Sequence, residues 1–156
     1  MKKRLYVLVM AAALLVPTLA MAKEVKLTTE LTNYSGDGAY LAIYLTDANG
    51  GYKGTLWIAG GKSKYYQHLR DWAKGSGMNR AEYDGLTGAS VSSGRTLKIT
   101  LDLDDALFDS GHQIRIDTAA EDLRDNRADV IAPLTTEGAD KPIKGRGYVK
   151  SFTYAF

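Results

Sequence analysis

The sequence contains no cysteine. That excludes disulfides, a disulfide-linked partner, thiolate catalysis, iron–sulfur clusters and thioether-attached haem. Histidine is almost as scarce, with only His68 and His112. Neither sits in a His-x-x-x-His pair or beside carboxylates at ligand spacing, so no zinc site is encoded. One histidine alone would suffice as an axial haem ligand, but each reads first as an ordinary surface or half-buried residue. There is no Gly-x-Ser-x-Gly turn to support a hydrolase. Apolar runs are short, with a single exception at the start of the chain.

That exception is an export leader. Lys2, Lys3 and Arg4 precede an apolar stretch from Leu5 to Leu19, interrupted only by Pro17 and Thr18. Ala20-Met21-Ala22 then places small residues where signal peptidase requires them. The stretch is too short to span a bilayer comfortably. Residues 1–22 are therefore expected to be a cleaved signal peptide, and residues 23–156 a single periplasmic domain. Removing the leader's three basic residues from 20 leaves 17 against 18 acidic ones, a net charge near −1. The exported chain has no basic bias toward nucleic acid.

What remains is dominated by alternation. Glu24 to Leu31 places Val25, Leu27, Thr29 and Leu31 on one face at period two. Ala39 to Thr46 is apolar on both faces, as a central strand should be. The Asn-Gly pair in Asp47 to Gly51 predicts a hairpin into Tyr52 to Ala59. Strands are also predicted over 95–103, 112–119 and 147–156. Between them the period changes once: Tyr65, Leu69 and Trp72 fall at helical spacing, Ser63 can cap, and Gly75 can stop the run. This predicts one helix over 64–74. Ala120 to Arg146 is polar and reads as irregular. The fold class expected is all-β: an immunoglobulin-like antiparallel β-sandwich with one inserted α-helix.

Three stretches compete as sites. The acidic run Asp102 to Asp109 lacks the glycine and terminal glutamate of a calcium loop, so a solvated strand end is favoured. The glycine pair at Gly60-Gly61, followed by Lys62, Ser63 and Lys64, offers N–H groups and a helix start to an anion. The third stretch is "DGLTGAS", residues 84–90, whose glycines permit turns with positive φ and whose last residue is a hydroxyl. Asp84 to Gly94 is expected to be a surface loop.

"DGLTGAS" resembles the flavinylation motif of FMN-binding domains, Asp-x-x-(Ser/Thr)-Gly-Ala-(Thr/Ser). In that resemblance Asp84 is the opening acid, Thr87 the first hydroxyl, Gly88 and Ala89 the small pair, and Ser90 the acceptor. It implies that an exported FAD:protein FMN transferase joins FMN to Ser90 through a phosphoester. The acceptor is Ser where Thr is commoner. The span from Tyr40 to Trp72, with "DGLTGAS" and the following strand, is also similar to a domain-of-unknown-function family of predicted periplasmic proteins. Those resemble partners of PepSY-type membrane redox proteins and flavin transferases. The resemblance implies a redox carrier more than an enzyme. FMN exchanges one or two electrons, and the protein anchors it and sets its potential. Trp57, Tyr65, Tyr66, Trp72 and Tyr83 are the aromatic candidates for the ring, and each also reads as core. The alternative is a non-catalytic binding module for haem, an iron chelate or a protein partner, without flavin.

Overall fold

The computed structural model describes residues 21–156, so the leader lies outside the described residues apart from Met21 and Ala22. Eight strands run in chain order: β1 (Ala22–Leu31), β2 (Tyr40–Thr46), β3 (Tyr52–Ala59), β4 (Thr87–Gly88), β5 (Thr96–Asp104), β6 (Gln113–Ala119), β7 (Asn126–Pro133) and β8 (Val149–Ala155). They form a three-stranded sheet, β5-β1-β8, and a five-stranded sheet, β4-β3-β2-β6-β7. Every pairing is antiparallel except β3 with β4. The architecture is mostly β, with two sheets and little helix.

Alternation explains the core. Val25, Leu27 and Leu31 of β1, Phe152 and Tyr154 of β8, and Leu41, Ile43, Ile114 and Ile116 of the larger sheet fill one cluster shared by both sheets. Burying such side chains stabilises by about 1.5–3 kcal/mol each before chain entropy is charged against it. At the β1 end, Lys23 reaches Asp105 at 2.9 Å and lies over the rings of Phe108 and Phe156. The hairpin joining β2 to β3 forms as expected: the Asp47 carboxylate accepts from the Asn49 and Gly51 N–H groups, and Gly50 takes φ 81°.

Two expectations fail. The helix over 64–74 is broken into a 3-10 segment, Ser63–His68, and a short α1, Arg70–Ser76, with Leu69 at the joint. Ser63 does not cap; Lys62 holds that position without a side-chain cap. The cap comes instead from β6. The buried Asp117 carboxylate accepts from the Asp71 and Trp72 N–H groups at 2.8 and 2.9 Å, and so restarts the helix at Leu69. The run then passes Gly75 and ends at Gly77, in the left-handed conformation.

The polar stretch after Ala120 also contains β7. Its buried residues are Ala128, Asp129, Val130 and Ala132, of which only Val130 is a large apolar side chain, so they carry little hydrophobic period. Asp129 is buried because its carboxylate accepts from the Thr118 hydroxyl and from the N–H groups of Arg146, Gly147 and Val149. Pro133 closes the strand at the sheet edge, where a missing N–H is tolerated.

Candidate functional site

Residues 63–83 fold over the outer face of the larger sheet and seal it. Tyr66, Leu69 and Trp72 are buried there against Ala42, Tyr44, Ile58 and Ala119. Tyr66 donates its hydroxyl to the Gly60 carbonyl at 2.8 Å, and Trp72 Nε1 donates to Thr55 Oγ1 at 2.9 Å. Burial pushes the Tyr66 and Tyr44 hydroxyls above the ordinary tyrosine value, with the Asp117 carboxylate adding to the rise at Tyr44. Burial likewise pushes Asp117 up, opposed by the Trp72 and Ala128 N–H groups and the Tyr44 hydroxyl. These groups form a satisfied structural layer. Of the five aromatic candidates, Tyr66, Trp72 and Tyr83 belong to it.

From this layer the chain enters residues 84–90. Asp84 is exposed and follows a short 3-10 turn, Arg80–Glu82. Thr87 and Gly88 are not loop but β4, a two-residue edge strand parallel to Ile58 and Ala59. The Gly60 N–H donates to the Gly88 carbonyl at 2.8 Å. Gly88 is required by packing: a Cβ there would lie 2.8 Å from Cζ2 of Trp57. Three residues later Val91 is buried and exchanges both backbone hydrogen bonds with Ala39, at 2.7 and 2.9 Å. The chain is pinned at Gly88 and again at Val91. Ala89 and Ser90 are exposed between those two points.

Ser90 stands where two concavities meet. The larger, a cleft of about 650 Å³, is lined by Gly38, Tyr40, Lys62, Tyr65, His68 and Ser90 among others. The turn from Ala119 to Leu123, with Asp125, closes its other side. Such a volume lies within the range of small-molecule sites. The second, about 360 Å³ and shallower, is lined by Trp57, Gly88, Ala89, Ser90 and Arg95 among others. Gly88, Ala89 and Ser90 are thus brought together, whereas Asp84 and Thr87 line neither concavity. Trp57 Nε1 is buried without a hydrogen-bond partner.

Sequence reasoning placed Lys62, Tyr65 and Ser90 among its candidates. It did not identify Gly38, Tyr40, Leu123 or Asp125 as neighbours of Ser90, because they arrive from three separate loops and strands. His68, which the sequence alone reads as an ordinary surface or half-buried residue, has its Nδ1 3.2 Å from Asp125 Oδ2, and Arg70 Nε lies 2.8 Å from the same oxygen. His112 instead contacts Ser110 Oγ at 2.8 Å and does not line this cleft. Among the described residues no cluster of three or more His, Asp or Glu is placed to hold a metal ion, and no helix is long and apolar enough to cross a membrane.

No curated protein and no solved structure matches the sequence. Residues 22–151 do match the family described as "Predicted periplasmic protein (DUF2271)". The match spans most of the two sheets and the whole of the Ser90 region, and the chain belongs to that family.

Proposed function

We propose that the protein is exported, cleaved after Ala22, and carries FMN on Ser90 as an extracytoplasmic electron carrier. In this reading residues 23–156 form one immunoglobulin-like sandwich domain. It is a substrate of an FAD:protein FMN transferase and a partner of a PepSY-type membrane redox protein. The observation that carries the proposal is the presentation of Ser90: exposed, on the rim of a cleft, and held between two pinned backbone positions.

The residues present fit such a group. Gly38 keeps open the space beside the acceptor, since a Cβ there would lie 2.8 Å from Ser90 Oγ. In attachment the serine oxygen attacks the FMN phosphorus of FAD and the phosphoanhydride bond breaks. AMP departs, the hydroxyl gives up its proton, and a phosphodiester joins Ser90 to the ribityl arm. Asp84, exposed at the start of the motif, would help orient the metal-bound donor. The small Gly88-Ala89 pair leaves the backbone approachable. Bound flavin would supply one- and two-electron exchange. The chain's own work is to anchor the phosphate, wall off the ring and exclude water.

Coexpression with an active transferase is the test, read by intact mass. Wild type should begin at Lys23 and gain one FMN less a water. Ser90→Ala should abolish the gain and change stability by no more than about 0.5 kcal/mol, as an exposed loop hydroxyl should. Ser90→Thr should retain the gain, and Asp84→Ala should slow it. Modification that survives Ser90→Ala but not Thr87→Ala would move the acceptor to Thr87. A colourless wild type beside an active transferase would overturn the carrier. A non-covalent binding module would then take its place.

A further inference from the structure

The cleft beside Ser90 has a character that attachment alone does not require. Its aromatic wall is Tyr40 and Tyr65, whose rings meet edge to face at 5.8 Å and 89°. The Tyr40 hydroxyl is fixed by accepting from the Lys62 N–H at 3.1 Å. The same cleft is lined by Leu123, a large apolar side chain left 40% exposed. Leu123 leans toward Gly36, where a Cβ would lie 2.8 Å from its methyl, so one lip of the cleft is apolar. An aromatic and apolar lining suits a planar ring.

The polar groups suit a particular ring edge. A carboxylate can only accept, so His68 donates Nδ1–H to Asp125, which Arg70 also holds. In the neutral imidazole that leaves Nε2 as an acceptor. Lys62 brings an ammonium donor to the same cleft. An acceptor beside a donor complements an imide edge, where an N–H lies between two carbonyls. The isoalloxazine of a flavin has such an edge. Charge separates the two ends of the ligand further. Asp37, Glu121 and Asp122 are exposed along the larger cleft, which disfavours an anionic phosphate there and tolerates a neutral ring. Arg95 lines the smaller concavity with Ser90, on the side where the phosphodiester charge is better placed.

We infer that the larger cleft is the seat of the isoalloxazine ring, with Tyr40 and Tyr65 as its aromatic wall and Lys62 and His68 as the groups that read its imide edge. This rests on the proposal that Ser90 carries FMN, but it can be tested apart from it. Protein bearing FMN should emit less flavin fluorescence than the same protein after complete proteolysis, because tyrosine stacking quenches the ring. Tyr65→Leu should recover most of that loss, and His68→Gln should shift the flavin absorption envelope. Trp57→Phe, in the smaller concavity, should do neither. Unmodified mature protein should also quench added riboflavin, which has no phosphate to be transferred. Tyr65→Leu should weaken that binding about tenfold, in line with the worth of one aromatic stack.

If the FMN mass is gained but Tyr65→Leu and His68→Gln leave emission and absorption unchanged, the ring lies elsewhere and only this inference falls. If no FMN mass is gained but riboflavin binds and Tyr65→Leu weakens it, the cleft stands and the covalent reading falls. If neither attachment nor riboflavin binding is seen, both fall. Tyr65 is half-buried and outside the aromatic layer under α1, so the variant should fold. The circular dichroism of Tyr65→Leu and His68→Gln should match wild type, and His68→Gln serves alone should Tyr65→Leu misfold.

Discussion

The protein holds two sets of aromatic side chains, and they are treated differently. Under the helical segment, Tyr66, Trp72 and Tyr83 contact one another edge to face at centroid separations of 5.3 to 5.8 Å. Tyr66 and Trp72 are buried, and their polar atoms have found partners. Around Ser90, Tyr65 is half-buried with Tyr40 and Lys64 against it, and the Trp57 N–H has no partner at all. A ring that is enclosed and satisfied contributes to stability. A ring left with an open face or an unmet donor contributes less, and keeps surface available to something else. The closed set holds the domain together, and the open set marks the site.

Deletion in the closed set should give the largest effect. Trp72→Ala removes a fully buried indole, its contacts with Tyr66 and Tyr83, and its hydrogen bond to Thr55. The expected loss is about 3–5 kcal/mol in chemical denaturation, the range for large aromatic deletions in a core. A loss below about 1 kcal/mol would erase the distinction between the two sets.

Next comes the carboxylate that joins the closed set to the sheet. Asp117 accepts from the Tyr44 hydroxyl and from the N–H groups of Asp71, Trp72 and Ala128, at 2.8 to 3.0 Å. Asp117→Ala would leave those four donors without an acceptor, three of them buried and the Asp71 N–H part-buried. The expected cost is about 2–4 kcal/mol, since each buried unmet donor carries a penalty of about 1–3 kcal/mol and some will relax. Hydrogen exchange should locate the damage, with the Asp71 and Trp72 amides losing protection first. Uniform loss across β1 and β8 would mean that the cap is not what holds α1 in place.

The same carboxylate shows how far the sequence could be read. β1, β2, β3, β5, β6 and β8 were legible because a half-buried or central strand writes its faces at period two. The broken helix was not, because its cap lies 46 residues from Asp71 along the chain and only the sheet brings them together. β7 was hidden for a related reason: its inward Asp129 reads as surface until Thr118 and the 146–149 turn supply donors. At the site, Ser90 is exposed and Gly85 and Gly94 take positive φ as a loop would have it, but Gly88 lies in β4 and serves packing instead. Nothing local foretold that Trp57 fits beneath Gly88, or that Tyr40, His68 and Leu123 converge from separate segments. Local chemistry is written in the chain, and convergence is written in the topology.

The smallest expected effect is the sharpest comparison, because it sets the two tryptophans side by side. Trp57→Phe replaces the bicyclic indole with a single six-membered ring and removes the buried N–H that has no partner. The smaller ring loses some packing against the shared core, where Trp57 is only partly buried. Removing an unmet donor offsets that loss by a penalty of the same order, about 1–3 kcal/mol. The net change should fall within about 1 kcal/mol of zero by that cancellation. Trp72→Phe makes the same chemical change where the N–H is satisfied by Thr55 and the ring is wholly enclosed. Both terms then act in one direction, and the loss should clearly exceed that of Trp57→Phe in parallel urea titrations. Equal losses at the two positions would mean that the Trp57 N–H is not unmet in solution, and the open character assigned to that side of Ser90 would fail.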